Sequence, residues 1–305
     1  MTVENAIEAR ELAKSYGAVE AVRGVALKVP RGSIYGFLGR NGAGKTTTIK
    51  MLLGMTSPTS GGASVLGRDI ARRDESVEIR RRTGFVSEDK GLYDFMTIEQ
   101  LIRFTRPFFP GWDVGLEAKY LRAFELPPRR RVKALSKGMR TKLALLLALA
   151  RGAELLVLDE PTEGLDPAMV EELLSLLAGL AASGELTIFF SSHQIAEVEQ
   201  IADRVCVIHR GRVVLEGALD ELKERYHRVN LIYGEGATPP AAFATPGVER
   251  LKRDGRWLTL MVSENAERIA AEARADGALS ADLLPVGLKE IFLETVREES
   301  QKSER

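Results

Sequence analysis

One cysteine and three histidines in 305 residues leave little material for disulfide or metal-cluster chemistry. The lone Cys206, inside the apolar run Val205-Cys206-Val207-Ile208, is expected to be a small buried hydrophobe in a strand. Net charge is missing too. Forty-three basic residues balance 43 acidic ones, which argues against a general nucleic-acid binder while leaving room for local patches. No apolar run approaches the roughly 20 residues of a membrane-crossing helix, so a soluble subunit is expected. Residues 1–10 carry charges where a secretory signal needs an apolar stretch, and the expected compartment is the cytosol. The hydrophobic share of 45% suits a folded core, and the length fits one large α/β domain with a small appendage.

What is present is a glycine-rich stretch in a telling context: Gly39-Arg40-Asn41-Gly42-Ala43-Gly44-Lys45-Thr46-Thr47 follows the apolar run Ile34-Tyr35-Gly36-Phe37-Leu38 and precedes Ile49-Lys50-Met51-Leu52-Leu53. A buried strand therefore leads through a tight turn into a helix. Backbone N–H groups curled inward, together with the positive end of the helix, suit a polyphosphate. Lys45 is then placed to reach the β- and γ-phosphates, and the Thr46 hydroxyl to ligand a magnesium ion.

Ahead of this loop, residues 7–29 alternate apolar and polar positions and predict an antiparallel strand pair, with Tyr16 at its turn. Read alone, Tyr16 is a half-exposed strand tyrosine. Residues 61–67 predict another edge strand, and 72–82 a charged, solvated helix. The strand at 83–86 leads to Glu88. Residues 91–128 turn helical and aromatic, carrying Tyr93, Phe95, Phe104, Phe108, Phe109, Trp112, Tyr120 and Phe124; core packing is expected for most of these rings, with a subset forming a docking surface.

Ser136 is expected to cap a helix that runs to about residue 152, with Gly138 keeping its first turn bare. Leu155-Leu156-Val157-Leu158 is a strand covered on both faces that ends on Asp159 and Glu160. Ligands of open parallel sheets bind beyond the carboxyl ends of the strands, which places these acids beside the phosphate loop. Asp159 suits magnesium, and Glu160 suits the activation of a water. The strand Thr187-Ile188-Phe189-Phe190-Ser191-Ser192 delivers His193 to the same edge. Two more strands, joined at Arg210-Gly211, complete this part. Beyond about residue 225, strands at 229–233, 248–252 and 257–262 and helices at 266–275 and 288–298 predict a small β-then-α domain for regulation or dimer contact, with a frayed charged tail at 298–305.

Phosphate loop, Glu88, Leu135-Ser136-Lys137-Gly138-Met139, Asp159-Glu160 and His193 stand in an order that resembles the ATP-binding subunits of ATP-binding cassette (ABC) transporters, over residues 7–224. The segment 135–139 looks like the family signature, usually Leu-Ser-Gly-Gly-Gln. The resemblance implies an α/β fold of the P-loop NTPase ABC ATPase class, a RecA-like core with an antiparallel β subdomain and a helical insertion at about 91–152, plus a small C-terminal α+β domain at 225–305. It implies ATP and Mg²⁺ as ligands, with Tyr16 stacking on adenine, Gly39, Asn41, Gly42, Ala43, Gly44, Lys45, Thr46 and Thr47 holding the nucleotide, and Glu160 and His193 serving catalysis beside Lys45. Thr46, Glu88 and Asp159 are implied at the metal. The signature of one subunit is implied to contact ATP held by the other, with Gly164, Leu165 and Asp166 crossing the interface. Three positions depart from the common pattern: Lys137 replaces a glycine, Met139 a glutamine and Glu88 a glutamine.

The run Ser87-Glu88-Asp89-Lys90-Gly91-Leu92-Tyr93, with Leu-Ser-Lys-Gly-Met and the ending Gly287-Leu288-Lys289-Glu290-Ile291-Phe292, looks most like a bacterial exporter subgroup linked to antibiotics and envelope stress. The implied partners are a second ATPase subunit, like or unlike, and a separate membrane permease that holds the subunit on the inner face of the membrane; no nucleic acid is expected. Two alternatives are weighed against this. A soluble cassette ATPase acting on DNA or the ribosome would carry a long coiled coil or a second cassette, and neither is present; a phosphate-loop kinase would lack the signature and His193.

Overall fold

The computed structural model describes residues 4–303, and its contacts divide the chain into a unit ending at Glu216 and a unit beginning at Gly217. The first unit opens with β1 (Asn5–Tyr16) and β2 (Val19–Pro30), paired antiparallel. Ile7, Ala9 and Leu12 lie opposite Val29, Leu27 and Val25, and all six are buried, as one covered sheet face requires. Then come β3 (Ile34–Leu38), α1 (Lys45–Leu52), β4 (Ser60–Val65) and β5 (Arg68–Asp69). The edge strand expected at 61–67 is not at an edge. β4 lies between β1 and β5 in the order β2-β1-β4-β5, because two-residue β5, too short to show a period, takes that position.

The second sheet of this unit has the order β10-β9-β3-β8-β7-β6, from β6 (Thr83–Val86), β7 (Leu155–Asp159), β8 (Thr187–Ser192), β9 (Arg204–His209) and β10 (Arg212–Ala218). Strands β9, β3, β8, β7 and β6 run parallel. β3, β7 and β8 are buried at every residue, which explains their unbroken apolar runs. One core joins the two sheets through α1: Ile7, Leu12 and Val65 meet Ile49 and Leu52 on one side, with Phe37 and Phe189 on the other. Tyr35 stacks on Phe189 at 5.6 Å between ring centroids.

The connections carry α2 (Arg73–Arg82), α3 (Ile98–Thr105), α4 (Val114–Ala123), α5 (Lys137–Leu149), α6 (Pro167–Ala181) and α7 (Ile195–Ile201). α3 starts on a capping box, Thr97 and Gln100 each satisfying the other's backbone N–H. Core packing is not the fate of most rings in this region. Only Tyr120 and Phe124 are buried; Tyr93, Phe95, Phe104 and Phe108 are exposed and touch one another in a chain of ring contacts 5.5 to 5.9 Å long. The short α3 and α4 fill their inner faces with Ile98, Leu101, Ile102 and Tyr120, which leaves no interior for the remaining rings.

The second unit contains α8 (Leu219–Arg225), β11 (His227–Tyr233), β12 (Val248–Asp254), β13 (Trp257–Val262), α9 (Ala266–Ala275), β14 (Ala278–Pro285) and α10 (Leu288–Ser303). Its sheet is antiparallel in the order β12-β13-β11-β14. One face packs on α9 through Val229, Leu231, Leu258, Leu260 and Ile269. The tail expected to fray from 298 is helical to Ser303, as the continuation of α10; residues 304 and 305 lie outside those described.

Candidate functional site

The loop between β3 and α1 surrounds a cavity of about 380 Å³ lined by Asn41, Gly42, Gly44, Lys45, Thr46 and Thr47, with Glu88, Glu160, Glu163 and His193 from later strand ends and Ala21 from β2. Gly44 holds φ at +110° at the start of α1, and a Cβ there would stand 2.6 Å from the carbonyl oxygen of Ala21, so no larger residue fits this turn. Gly39 hands the strand to the loop, donating its N–H to Ser192 O at 3.2 Å, and Ala43 N donates to Arg40 O at 3.0 Å. The N-terminus of α1, at Lys45, lends the cavity floor a partial positive charge.

Lys45 is 6% exposed. Its Nζ donates to Gly39 O at 2.6 Å and stands 3.0 Å from Glu160 Oε1. Glu160, buried as well, places its other oxygen, Oε2, 2.9 Å from His193 Nδ1, and His193 Nε2 is 3.7 Å from Glu163 Oε2. A buried cation, a buried carboxylate and an imidazole thus form one connected chain along the cavity wall. Burying Lys45 and Glu160 is tolerated because each neutralises the other.

Glu160 reaches this position at φ +47°, a left-handed conformation costly for a residue with a side chain. Ser191 secures it: its Oγ accepts from Glu160 N at 3.1 Å and donates to Asp159 Oδ1 at 2.6 Å. Asp159 is buried at the end of β7. Below the turn, Thr162 and Ser192 donate to Glu197 Oε2 at 2.8 and 2.7 Å, and burial pushes the Glu197 carboxyl above its ordinary pKa. Lys90, φ +60°, donates to Pro161 O at 3.4 Å, and burial lowers its pKa.

The other singled-out residues lie apart from this cavity. Tyr16 is half-exposed at the end of β1, with Lys14 Nζ 5.1 Å from its ring centroid, and is not among the lining residues. Ser136 is exposed at the N-terminus of α5, which it caps by accepting from Met139 N at 3.2 Å; Lys137 is exposed, while Leu135 and Gly138 are buried and Met139 is half-buried. Gly164 sits at φ +70° against Lys137, whose Nζ is 2.5 Å from the place a Cβ would take, so signature-like helix and following turn touch within one chain. Leu165 N donates to Thr162 O, and Asp166 caps α6 through Met169 N at 3.0 Å.

Sequence reasoning passed over Ala21, Glu163, Ser191 and Glu197. Ser191 and Glu163 each stand within three residues of a residue it did single out, and that proximity at a strand end was the available signal. Nothing local marks Ala21 or Glu197.

The sequence pattern of the family described as ABC transporter matches residues 22–163. The chain is 38% identical to the bacitracin transport ATP-binding protein BcrA of Bacillus licheniformis, over 72% of each chain. It is 35% identical to the Nod factor export ATP-binding protein I of Paraburkholderia xenovorans, over 98% of this chain and 99% of that one. Among solved structures, an ATP-binding subunit of an ABC transporter superposes with a TM-score of 0.65 at 30% identity, covering 72% of this chain and 92% of that chain. With a phosphate loop, strand-end acids and histidine around one cavity, this chain belongs to the ABC transporter family, as an ATP-binding, ATP-hydrolysing subunit.

Proposed function

We propose that two copies of this chain, or this chain and a close relative, close around two ATP molecules and so drive a separate membrane permease in export. The observation that carries the reading is the pairing of Lys45 with Glu160 and of Glu160 with His193 inside the loop's cavity, while Ser136 stands exposed outside it. A triphosphate gives Lys45 a more highly charged partner than one carboxylate. Glu160, released from the ammonium and still oriented by His193, is then the base that takes a proton from the attacking water. Tyr16 stacks on adenine from the rim, and Asn41 and the backbone from Gly42 to Thr47 hold the phosphates. Ser136 to Met139 of the partner complete each site, with Gly164, Leu165 and Asp166 running between the two.

The donor set suits magnesium. The Thr46 hydroxyl and the carboxylates of Glu88 and Asp159 are hard oxygen ligands, and Thr46 and Glu88 both line the cavity. Bound there, the ion supplies neutralisation of the phosphate charge. Export is supported by relatives named for bacitracin transport and Nod factor export. No helix among the described residues is long and apolar enough to cross a membrane, and this reading assigns the passage to a separate permease. The permease docks on residues 88–109, where Tyr93, Phe95, Phe104 and Phe108 expose adjoining rings beside the segment that begins at Glu88. The working location is therefore the cytoplasmic face of the membrane.

Glu160→Gln tests the reading. ATP should still bind, turnover should fall by about 10²–10⁴-fold, and ATP-dependent dimers should accumulate; unchanged hydrolysis removes Glu160 from its role.

A further inference from the structure

Glu197 does not line the nucleotide cavity, yet it is a buried carboxylate that joins the two segments meeting there. Its Oε2 accepts from Thr162 Oγ1, in the turn after β7, at 2.8 Å and from Ser192 Oγ, at the end of β8, at 2.7 Å. Both donors are buried as well, so solvent cannot stand in for the carboxylate. Ser192 Oγ also accepts from Gln194 N at 2.9 Å, which commits its single proton to Glu197. The chain is thus pinned on either side of His193. On the other segment Pro161 joins Thr162 to Glu160, and its ring fixes the φ torsion between them. The links close a ring: Glu160 through Pro161 to Thr162, across Glu197 to Ser192, on to His193, and back from His193 Nδ1 to Glu160 Oε2 at 2.9 Å.

Glu197 is itself firmly seated. It lies on α7, whose next residue, Val198, is wholly buried against β3: a Cβ on Gly36 would stand 2.4 Å from Val198 Cγ1. β3 leads into the phosphate loop, so one strand positions both the loop and this brace. A buried carboxylate costs stability that an apolar residue of like size would not, and what it adds here is the connection between two segments. We propose that Glu197 is a positioning residue, which ties the turn carrying Glu160 to the strand end carrying His193 and so keeps base and imidazole in hydrogen-bonding register. The inference rests on the reading of Glu160 as the base. Neither hydroxyl that donates to Glu197 lines the cavity, so the brace acts on turnover and not on ATP affinity.

Variants of the full-length protein test it. Glu197→Leu removes the acceptor and should lower kcat by about 10²-fold, the cost of a misplacement of about 1 Å, while the ATP dissociation constant stays within about twofold. Glu197→Gln, whose amide oxygen can take both hydroxyl protons, should recover most of that loss. Thr162→Val cuts the tether on the Glu160 side alone and should lower kcat by about tenfold; it decides the matter should Glu197→Leu not fold. The imidazole offers a readout that needs neither nucleotide nor turnover. In protein carrying ¹⁵N-labelled histidine, the His193 ring signal, assigned by its absence from His193→Ala, should move toward that of an imidazole without a carboxylate partner in the Leu and Val variants and return in Glu197→Gln. That signal tests the brace even where Glu160→Gln shows the base to be another group. An unmoved ring signal overturns the brace, and parent kcat beside a moved signal overturns its part in hydrolysis. Loss of ATP affinity in step with turnover marks Glu197 as structural only and also overturns the proposal.

Discussion

Five parallel strands of the first unit end on one edge of their sheet, whereas the four strands of the C-terminal sheet run antiparallel and end on alternate edges. In the first case each strand that is buried throughout is followed by polar residues, and these converge: Glu160 after β7, His193 after β8, and the loop after β3. In the second case no edge collects them. What the antiparallel sheet offers is a face, one side committed to α9 and the other carrying exposed charge and a tryptophan. Chemistry thereby gathers where parallel strands end together.

Substitutions that separate edge from face test this division. His193→Ala, at the catalytic edge, should lower ATP turnover by about 10²-fold or more in a steady-state assay, while Thr259→Ala in the middle of the second sheet should leave it unchanged. Lys45→Ala removes a charged donor worth about 1.5–3 kcal/mol, roughly a 10–150-fold loss of ATP affinity by nucleotide titration. An effect of Thr259→Ala as large as either would break the comparison.

The opposite edge of the same parallel sheet gives the smallest expected effect. Glu154, just before β7, accepts from Arg82 at 2.5 and 2.6 Å and from Arg31 at 3.4 Å, and the Arg82 hydrogen bond holds its pKa below the usual carboxylate value. A depressed carboxylate contributes stability above its unfolded pKa and loses it as the pH falls through the folded value. The pair is partly exposed, so Glu154→Gln should cost less than about 1 kcal/mol, a Tm decrease of no more than about 4 °C near neutral pH. The difference from the parent should shrink on acidification below about pH 4, and turnover should not change.

The elements whose burial is uniform were legible in the sequence. β3, β7 and β8 show as apolar runs because both faces are covered, and the polar residues that follow them show because the run stops. Ser136 announces its helix by the same local logic. β14 was not legible: Ala278-Leu279-Ser280-Ala281-Asp282-Leu283-Leu284-Pro285 places its one fully buried side chain at Ala281 and exposes two of its leucines, so its alternation is faint. The ion pair between Lys45 and Glu160 spans 115 positions and depends on the backbone of Glu160 taking a left-handed conformation, held by a serine on a neighbouring strand. No local pattern carries that. The aromatic residues after Glu88 were misjudged because ring content signals burial only where an interior exists to receive it, and α3 and α4 are too short to make one.

The most direct test of a site assembled from two chains is complementation. Glu160→Gln supplies an intact Ser136 and a disabled base; Ser136→Arg supplies an intact Glu160 and a blocked signature. Each variant alone should be inactive, and an equimolar mixture should regain ATP hydrolysis, because one of the two sites in the mixed dimer is then whole. A mixture no more active than its components would contradict the account.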